Sequence, residues 1–184
     1  ADKNEPLVVA RERAGATLGE LAADTREHKL AIAQTGTIGP LVALLLSGTV
    51  VAREKAAAVL GNLAVDTPEN KRAIAQAGAI APLVKMLGDS SNSGKDCAAG
   101  TLWSLAANTV ENKIAIAQEG AIGPLVRMIS GRSVLGVENA VGALWALASN
   151  TPSNKRLIES TPGAIVSLEQ LAYSGPSQAS RYAA

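Results

Sequence analysis

Two residues offer the clearest potential for covalent chemistry: Cys97, the one cysteine, and His28, the one histidine. A catalytic thiol needs a base within hydrogen-bonding reach, about 3 Å away. Whether these side chains can meet depends on the elements that carry them. Those elements are best recognised from a repeat in the sequence.

The chain repeats itself every 42 residues. The segment LGELAADT from Leu18 returns as LGNLAVDT from Leu60, LWSLAANT from Leu102 and LWALASNT from Leu144. A lysine preceded by His or Asn recurs at the same period, at Lys29, Lys71, Lys113 and Lys155. A fixed period of this length indicates an array of supersecondary units. We expect the lysines to serve structure or to line a solvated outer face.

Each unit carries the signals of three helices: Asn or His as N-cap, glycine as helix end, and proline just inside the next helix. In the middle unit we predict helices from about Asn70 to Ala77, from about Ile80 to Leu87, and from about Ser93 to Ala107. Gly78 turns the chain between the first two. Aspartate or asparagine at positions 24, 66, 108 and 150, each followed by threonine, predicts a turn and a helix cap before the next unit.

The third helix of the middle unit has one apolar stripe, formed at helical spacing by Ala98, Ala99, Leu102, Leu105 and Ala106. Three short helices cannot bury such a stripe by themselves. Successive units must therefore stack and share one continuous core.

The segments NKRAIAQAGAIAPLVKML from Asn70 and CAAGTLWSLA from Cys97 resemble the armadillo repeat consensus. The resemblance covers nearly the whole chain and implies an all-α fold, a right-handed α-solenoid with three helices per 42-residue unit. We expect a single solenoid over residues 1–184, divided into the third helix of a truncated repeat at 6–24, full repeats at 28–66, 70–108 and 112–150, and a partial repeat at 154–184 that stops inside its third helix.

Both ends of the sequence align with incomplete repeats. LVVARERAGATLGEL from Leu7 matches TVVAREKAAAVLGNL from Thr49, and SGPSQASRYAA from Ser174 matches SGTVVAREKAA from Ser47. Terminal repeats normally carry a polar outer face. We therefore expect further repeats or a protein partner to cover the outer sides of residues 7–21 and 163–173.

The repeat argues against catalysis and metal binding. His28 and Cys97 fall in different units, and packed helices lie about 8–10 Å apart. We call the positions that lie 42 residues apart in successive units a column. His28 shares its column with three asparagines, which predicts a capping role. One His, one Cys and no clustered carboxylates give no metal site. We predict no catalytic residue, no metal and no cofactor; an enzyme would need catalytic groups from outside this sequence.

Composition narrows the class of partner. The 17 basic and 16 acidic residues are scattered and give a net charge of +1, so a nucleic-acid-binding surface is not expected. No apolar run reaches the roughly 20 residues that span a bilayer, so membrane insertion is not expected. A lone cysteine favours a reducing compartment such as the cytoplasm, although the sequence leaves the localisation open. The expected partner is a protein or peptide.

In armadillo proteins, third helices line a concave groove that accepts extended peptides. The column that resembles the asparagine ladder of importin-alpha and beta-catenin holds Glu20, Asn62, Ser104 and Ala146, so only Asn62 matches. The column where importin-alpha places tryptophan holds Ala16, Ala58, Gly100 and Gly142. Recognition of nuclear signals by that mechanism is therefore not expected.

Tryptophan occupies a different column, at Trp103 and Trp145, where earlier units have Gly19 and Gly61. The indoles are either anchors for a partner or packing between third helices. Gly100 and Gly142 indicate that some group, such as a neighbouring indole, approaches the backbone closely.

An acid column places Glu12, Glu54, Asp96 and Glu138 in what we predict to be the first turns of third helices. These acids either attract a basic peptide or complement the positive end of their own helix dipole. We predict a binding groove formed by Asn62, Asp96, Trp103, Ser104, Glu138 and Trp145. The alternative is a structural subunit of a larger assembly that uses the solenoid ends and convex faces.

Overall fold

The computed structural model describes residue 17, residues 25–131 and residues 133–173. Eleven α-helices and no strand lie in these ranges, as predicted for an all-α fold. The helix expected at residues 6–24 lies outside the described residues, except for Thr17. The end of the partial repeat, residues 174–184, lies outside them as well.

The helices follow one another in groups of three. They are α1 (Arg26–Gln34), α2 (Ile38–Ser47) and α3 (Val50–Ala64); α4 (Pro68–Gln76), α5 (Ile80–Asp89) and α6 (Asn92–Ala106); α7 (Val110–Gln118), α8 (Ile122–Ile129) and α9 (Val134–Ala148); and then α10 (Pro152–Ser160) and α11 (Ala164–Tyr173). The third helices α3, α6 and α9 are the longest, with 15 residues each.

The first helix of each group begins earlier than predicted. Its N-cap is a threonine: Thr25, Thr67, Thr109 or Thr151. His28 lies inside α1, where its backbone N–H donates to Thr25 Oγ1 at 3.3 Å. The predicted capping role of His28 and of the asparagines in its column is therefore wrong. Proline at the first helical position, as at Pro68, favours the earlier start because its φ angle already suits a helix.

The turn chemistry read from the sequence is confirmed. The residues before Thr67, Thr109 and Thr151 have a left-handed backbone: φ is 53° at Asp66, 59° at Asn108 and 55° at Asn150. Asp and Asn adopt this region more readily than other side chains do. The glycine between the first and second helices has a φ of 84° at Gly78 and at Gly120. These turns set the angles at which consecutive helices meet.

The shared core lies between the third helices and the second helices beside them. All five residues of the apolar stripe predicted on α6 are fully buried. The most extensive contacts join α6 to α3 and to α9, while each third helix also packs on the second helix of its own group. Apolar burial therefore connects neighbouring repeats, as the stacking argument predicted.

Buried asparagines join the first helix of a repeat to the repeat before it. Asn70 Nδ2 donates to the Lys29 carbonyl at 3.1 Å and to the Leu63 carbonyl at 3.0 Å. Asn112 and Asn154 make the same pair of bonds one and two repeats later. Each asparagine thus bonds two carbonyls of the preceding repeat, one on its first helix and one near the end of its third.

Three of the four recurrent lysines are buried and bond the end of their own third helix. Lys71 Nζ donates to the Ala107 carbonyl at 2.7 Å, and Lys113 Nζ donates to the Ser149 carbonyl at 2.6 Å. Lys29 bonds the Val65 carbonyl at 3.1 Å. These carbonyls stand at the negative end of a helix dipole, which favours a cation. The lysines therefore serve structure, except Lys155, which is exposed.

Substituting Asn70→Ala should lower the free energy of unfolding by about 2 kcal/mol, because two buried carbonyls lose their donor. Urea unfolding followed by circular dichroism measures this change. Asn92→Ala is the matched control: Asn92 is exposed at the start of α6, so its loss should cost less than about 0.5 kcal/mol. Equal effects of the two substitutions would contradict the inter-repeat role.

Burial lowers the pKa of Lys71 from its ordinary value of 10.5, against an opposing attraction from Asp66. The unfolded chain binds more protons at a pH between the lowered pKa of Lys71 in the folded protein and its ordinary pKa in the unfolded chain. The free energy of unfolding must therefore rise with pH in that window. The stability of the wild type relative to Lys71→Met should therefore increase as the pH approaches 10.5 from below. Urea unfolding across this range tests the sign. Lys85→Met, at a side chain 73% exposed, controls for the lost charge.

Candidate binding groove

Four of the six predicted groove residues line a single cavity. Asn62 on α3 and Asp96, Trp103 and Ser104 on α6 all face it. Glu138 and Trp145 lie on α9, outside the lining of this cavity. We use "candidate groove" for the surface of α3, α6 and α9 that carries these six residues. The six residues lie along one surface because the third helices stack side by side.

The two tryptophans differ in their surroundings although they share a column. The indole of Trp103 lies against the backbone of Gly142: a Cβ atom at Gly142 would stand 2.7 Å from its Cδ2 and Cε2 atoms. The expectation that an indole approaches one of the helical glycines is therefore confirmed at Gly142. Trp103 is partly buried against the core, whereas 51% of Trp145 is exposed. Trp103 therefore fills part of the interface between α6 and α9. We call such an interface between consecutive third helices a seam.

A different group approaches Gly100. A Cβ atom there would stand 3.0 Å from Asn139 Nδ2, which donates to the Asp96 carbonyl at 2.9 Å. Asn139 and Leu135, at the start of α9, also line the cavity. Neither residue was predicted from the sequence, because the equivalent positions one repeat earlier, Cys97 and Ser93, carry different side chains.

The acid column joins consecutive third helices. The carboxylate of Asp96 accepts a hydrogen bond of 2.5 Å from the hydroxyl of Ser133, and Glu54 accepts one from Ser91 in the same way. Ser91 and Ser133 are the N-caps of α6 and α9. The expectation that the acids lie in the first turn of their own helices is wrong for Glu54, Asp96 and Glu138, because each helix begins four residues earlier; Glu12 lies outside the described residues. The carboxylates of Glu54 and Asp96 instead stand near the positive end of the next helix dipole.

Cys97 lies on the lining of the cavity and is half buried. Burial raises the pKa of its thiol, and the carboxylates of Glu54 and Asp96 raise it further. The thiol therefore stays protonated at neutral pH, which makes it a weak nucleophile. His28 lies on α1, in the preceding repeat. In the part of the chain that the structure describes, no three His, Cys, Asp or Glu residues are grouped to hold a metal ion.

Within the described ranges, no single helix has the length and apolar character needed to cross a membrane. One bent pair, Arg26–Gln34 with Ile38–Ser47, meets the criteria of length and composition only when the two helices are taken together.

Three-helix units stacked on their third helices define a helical solenoid. Three consecutive stretches, residues 25–65, 67–107 and 109–149, match the family model described as armadillo/beta-catenin-like repeat. These stretches make up more than half of the chain, so the chain belongs to the armadillo repeat family. Its fold is that of a scaffold which is generally non-catalytic.

Solved structures agree with this assignment. The chain is 28% identical, with a TM-score of 0.87, to computationally designed armadillo repeat proteins for modular peptide recognition; the match covers 99% of this chain and 75% of that one. It is 26% identical, with a TM-score of 0.84, to a designed armadillo repeat protein in complex with the peptide (KR)4, over 97% of this chain and 78% of that one.

A natural protein with the same fold is the armadillo repeats only protein of Plasmodium falciparum, with 20% identity and a TM-score of 0.80 over 94% of this chain and 76% of that one. This likeness bears on the fold alone. A comparison with curated protein sequences gives no significant match.

Trp103→Ala should lower the free energy of unfolding by about 2–3 kcal/mol, because it removes an indole packed on Gly142 and the core. Trp145→Ala is its partner in the same column, and its loss should cost less than about 1 kcal/mol because half of the side chain is already exposed. Urea unfolding of both variants measures the difference. Equal costs would place the two indoles in equivalent environments.

Proposed function

We propose that this chain is a non-catalytic scaffold that binds an extended segment of another protein along the candidate groove. The observation that carries the proposal is the cavity shared by Asn62, Asp96, Trp103 and Ser104, four groove residues chosen from the repeat columns alone. It holds about 390 Å³, within the roughly 300–1,000 Å³ typical of ligand sites.

The lining is suited to a peptide. Asn62 and Ser104 belong to the column that resembles the armadillo asparagine ladder, and their polar side chains can bond to an extended backbone. The exposed face of Trp145, farther along α9, can pack against a side chain of the same segment. The designed relatives support the proposal, since one group is described as made for modular peptide recognition and another was solved with a bound peptide.

A purely basic peptide is a less suitable ligand. The designed relative holds alternating lysine and arginine residues. In this chain, Glu54 and Asp96 already accept hydrogen bonds from the capping serines of the next helices. Their charge is thus used to hold the third helices together. We therefore expect backbone hydrogen bonds and apolar contacts to contribute more than attraction to acids, and binding to depend only weakly on salt.

One observation favours a second function, assembly through the outer side of the last described helices. On α10 and α11 the exposed fraction is 45% for Leu157, 44% for Ile165 and 56% for Val166. Ile122, which matches Ile165 one repeat earlier, is only 3% exposed. A further repeat or a partner protein that covers this patch is the structural-subunit alternative.

Selection from a random library of peptides about 12 residues long, which span roughly 40 Å when extended, tests the proposed function. A selected peptide should shift the NMR signals of Asn62 and Ser104. Asn62→Ala should weaken its binding about tenfold, as expected for one lost hydrogen bond to the peptide backbone. Lys85→Ala on α5 is the control and should leave the affinity unchanged.

Two outcomes would contradict groove binding. One is an affinity that Asn62→Ala leaves unchanged. The other is a set of signal shifts confined to α10 and α11, which would favour assembly through the end surface instead.

A further inference from the structure

The seams between third helices differ at one position. Between α6 and α9, Trp103 on the first helix covers Gly142 on the second. Between α3 and α6, the equivalent positions one repeat earlier are Gly61 and Gly100. Neither glycine has a side chain, so nothing from this pair fills the space that the Trp103 indole fills in the next seam.

The cavity of the candidate groove lies over this pair of glycines. Ala58 and Gly61 line it from α3, and Gly100 lines it from α6. Trp103 and Leu135 provide apolar surface farther along, with Asn62 and Ser104 beside them. The lining is thus mostly small and apolar where the next repeat carries an indole, with a few polar groups close by.

Resting on the proposed function above, we propose that this cavity binds an aromatic side chain of the bound segment, an indole or a similarly flat apolar ring. The occupant lies over Gly61 and beside Gly100, where the Asn139 amide bounds the cavity: a Cβ atom at Gly100 would stand 3.0 Å from its Nδ2. The partner thereby supplies the ring that the chain itself supplies one repeat later.

Thr101 prevents a side chain at position 61 from filling this cavity. A Cβ atom at Gly61 would stand 2.8 Å from Thr101 Oγ1, so a side chain at this position requires Thr101 to move. The hydroxyl is held in place because it donates to the Ala57 carbonyl at 2.7 Å. In the next seam the residue equivalent to Thr101 is Ala143, which leaves room for Trp103. The Gly61–Thr101 pair therefore excludes the chain's own indole from this cavity.

Indole alone is a sufficient probe for the cavity. Titration into the 15N-labelled protein should shift the signals of Gly61, Gly100 and Thr101 saturably, with a Kd of about 1–10 mM, as expected for a small apolar fragment. The side-chain signal of Trp145 serves as an internal control for nonspecific contact with indole and should not saturate.

A double variant closes the cavity from within. Gly61→Trp with Thr101→Ala reproduces the Trp103–Ala143 pair of the next seam and should weaken indole binding at least tenfold. Thr101→Ala alone is the matched control and should retain binding. Ala58→Leu, at an exposed position on the rim, is a second blocking variant that leaves the packed seam unchanged and should also weaken binding.

The proposal is overturned if indole gives no saturable shift at Gly61 and Gly100, or if both blocking variants bind it as tightly as the wild type does. This test is independent of the peptide selection. Indole binding without peptide binding would sustain the aromatic cavity and refute the proposed function. Peptide binding without indole binding would sustain the groove and refute the aromatic occupant.

Discussion

No described repeat in this chain can bury the apolar side chains of its third helix without the neighbouring repeats, and this constraint governs the structure. The apolar stripe of α6 is buried only because α3 and α9 lie on either side of it. Several polar groups also reach across repeats: Asn70 bonds two carbonyls of the preceding repeat, and the carboxylate of Asp96 accepts a hydrogen bond from Ser133, the N-cap of the following third helix. The buried lysines instead bond the third helix of their own repeat. Apolar burial and buried hydrogen bonds therefore both join neighbours, as in other stacked repeats.

This constraint explains which features could be predicted from the sequence. The period of 42, the three helices of each unit and the buried stripe follow from local signals that every repeat copies. The capping residue was misassigned because asparagine is a good N-cap in isolation. Its buried role depends on carbonyls that lie 41 and 7 residues earlier in the chain, and helical periodicity does not reveal them.

The candidate site was only partly predictable for the same reason. Columns of the third helix identified Asn62, Asp96, Trp103 and Ser104, which line one cavity. They could not reveal Asn139, which reaches the cavity from the next repeat, nor could they show that Trp103 and Trp145 differ. That difference arises across a seam, where Trp103 meets Gly142. The lining of the groove therefore changes along the solenoid because different side chains meet between successive third helices.

Native-state hydrogen exchange of the whole chain tests the central claim most directly, because it measures the opening free energy of each helix separately. If stability comes from the seams, the amides of α6, packed between two third helices, should exchange most slowly. Those of α11, whose Ile165 and Val166 are exposed, should exchange through low-energy local opening. Equal protection of α6 and α11 would mean that repeats are stable by themselves and would contradict the account.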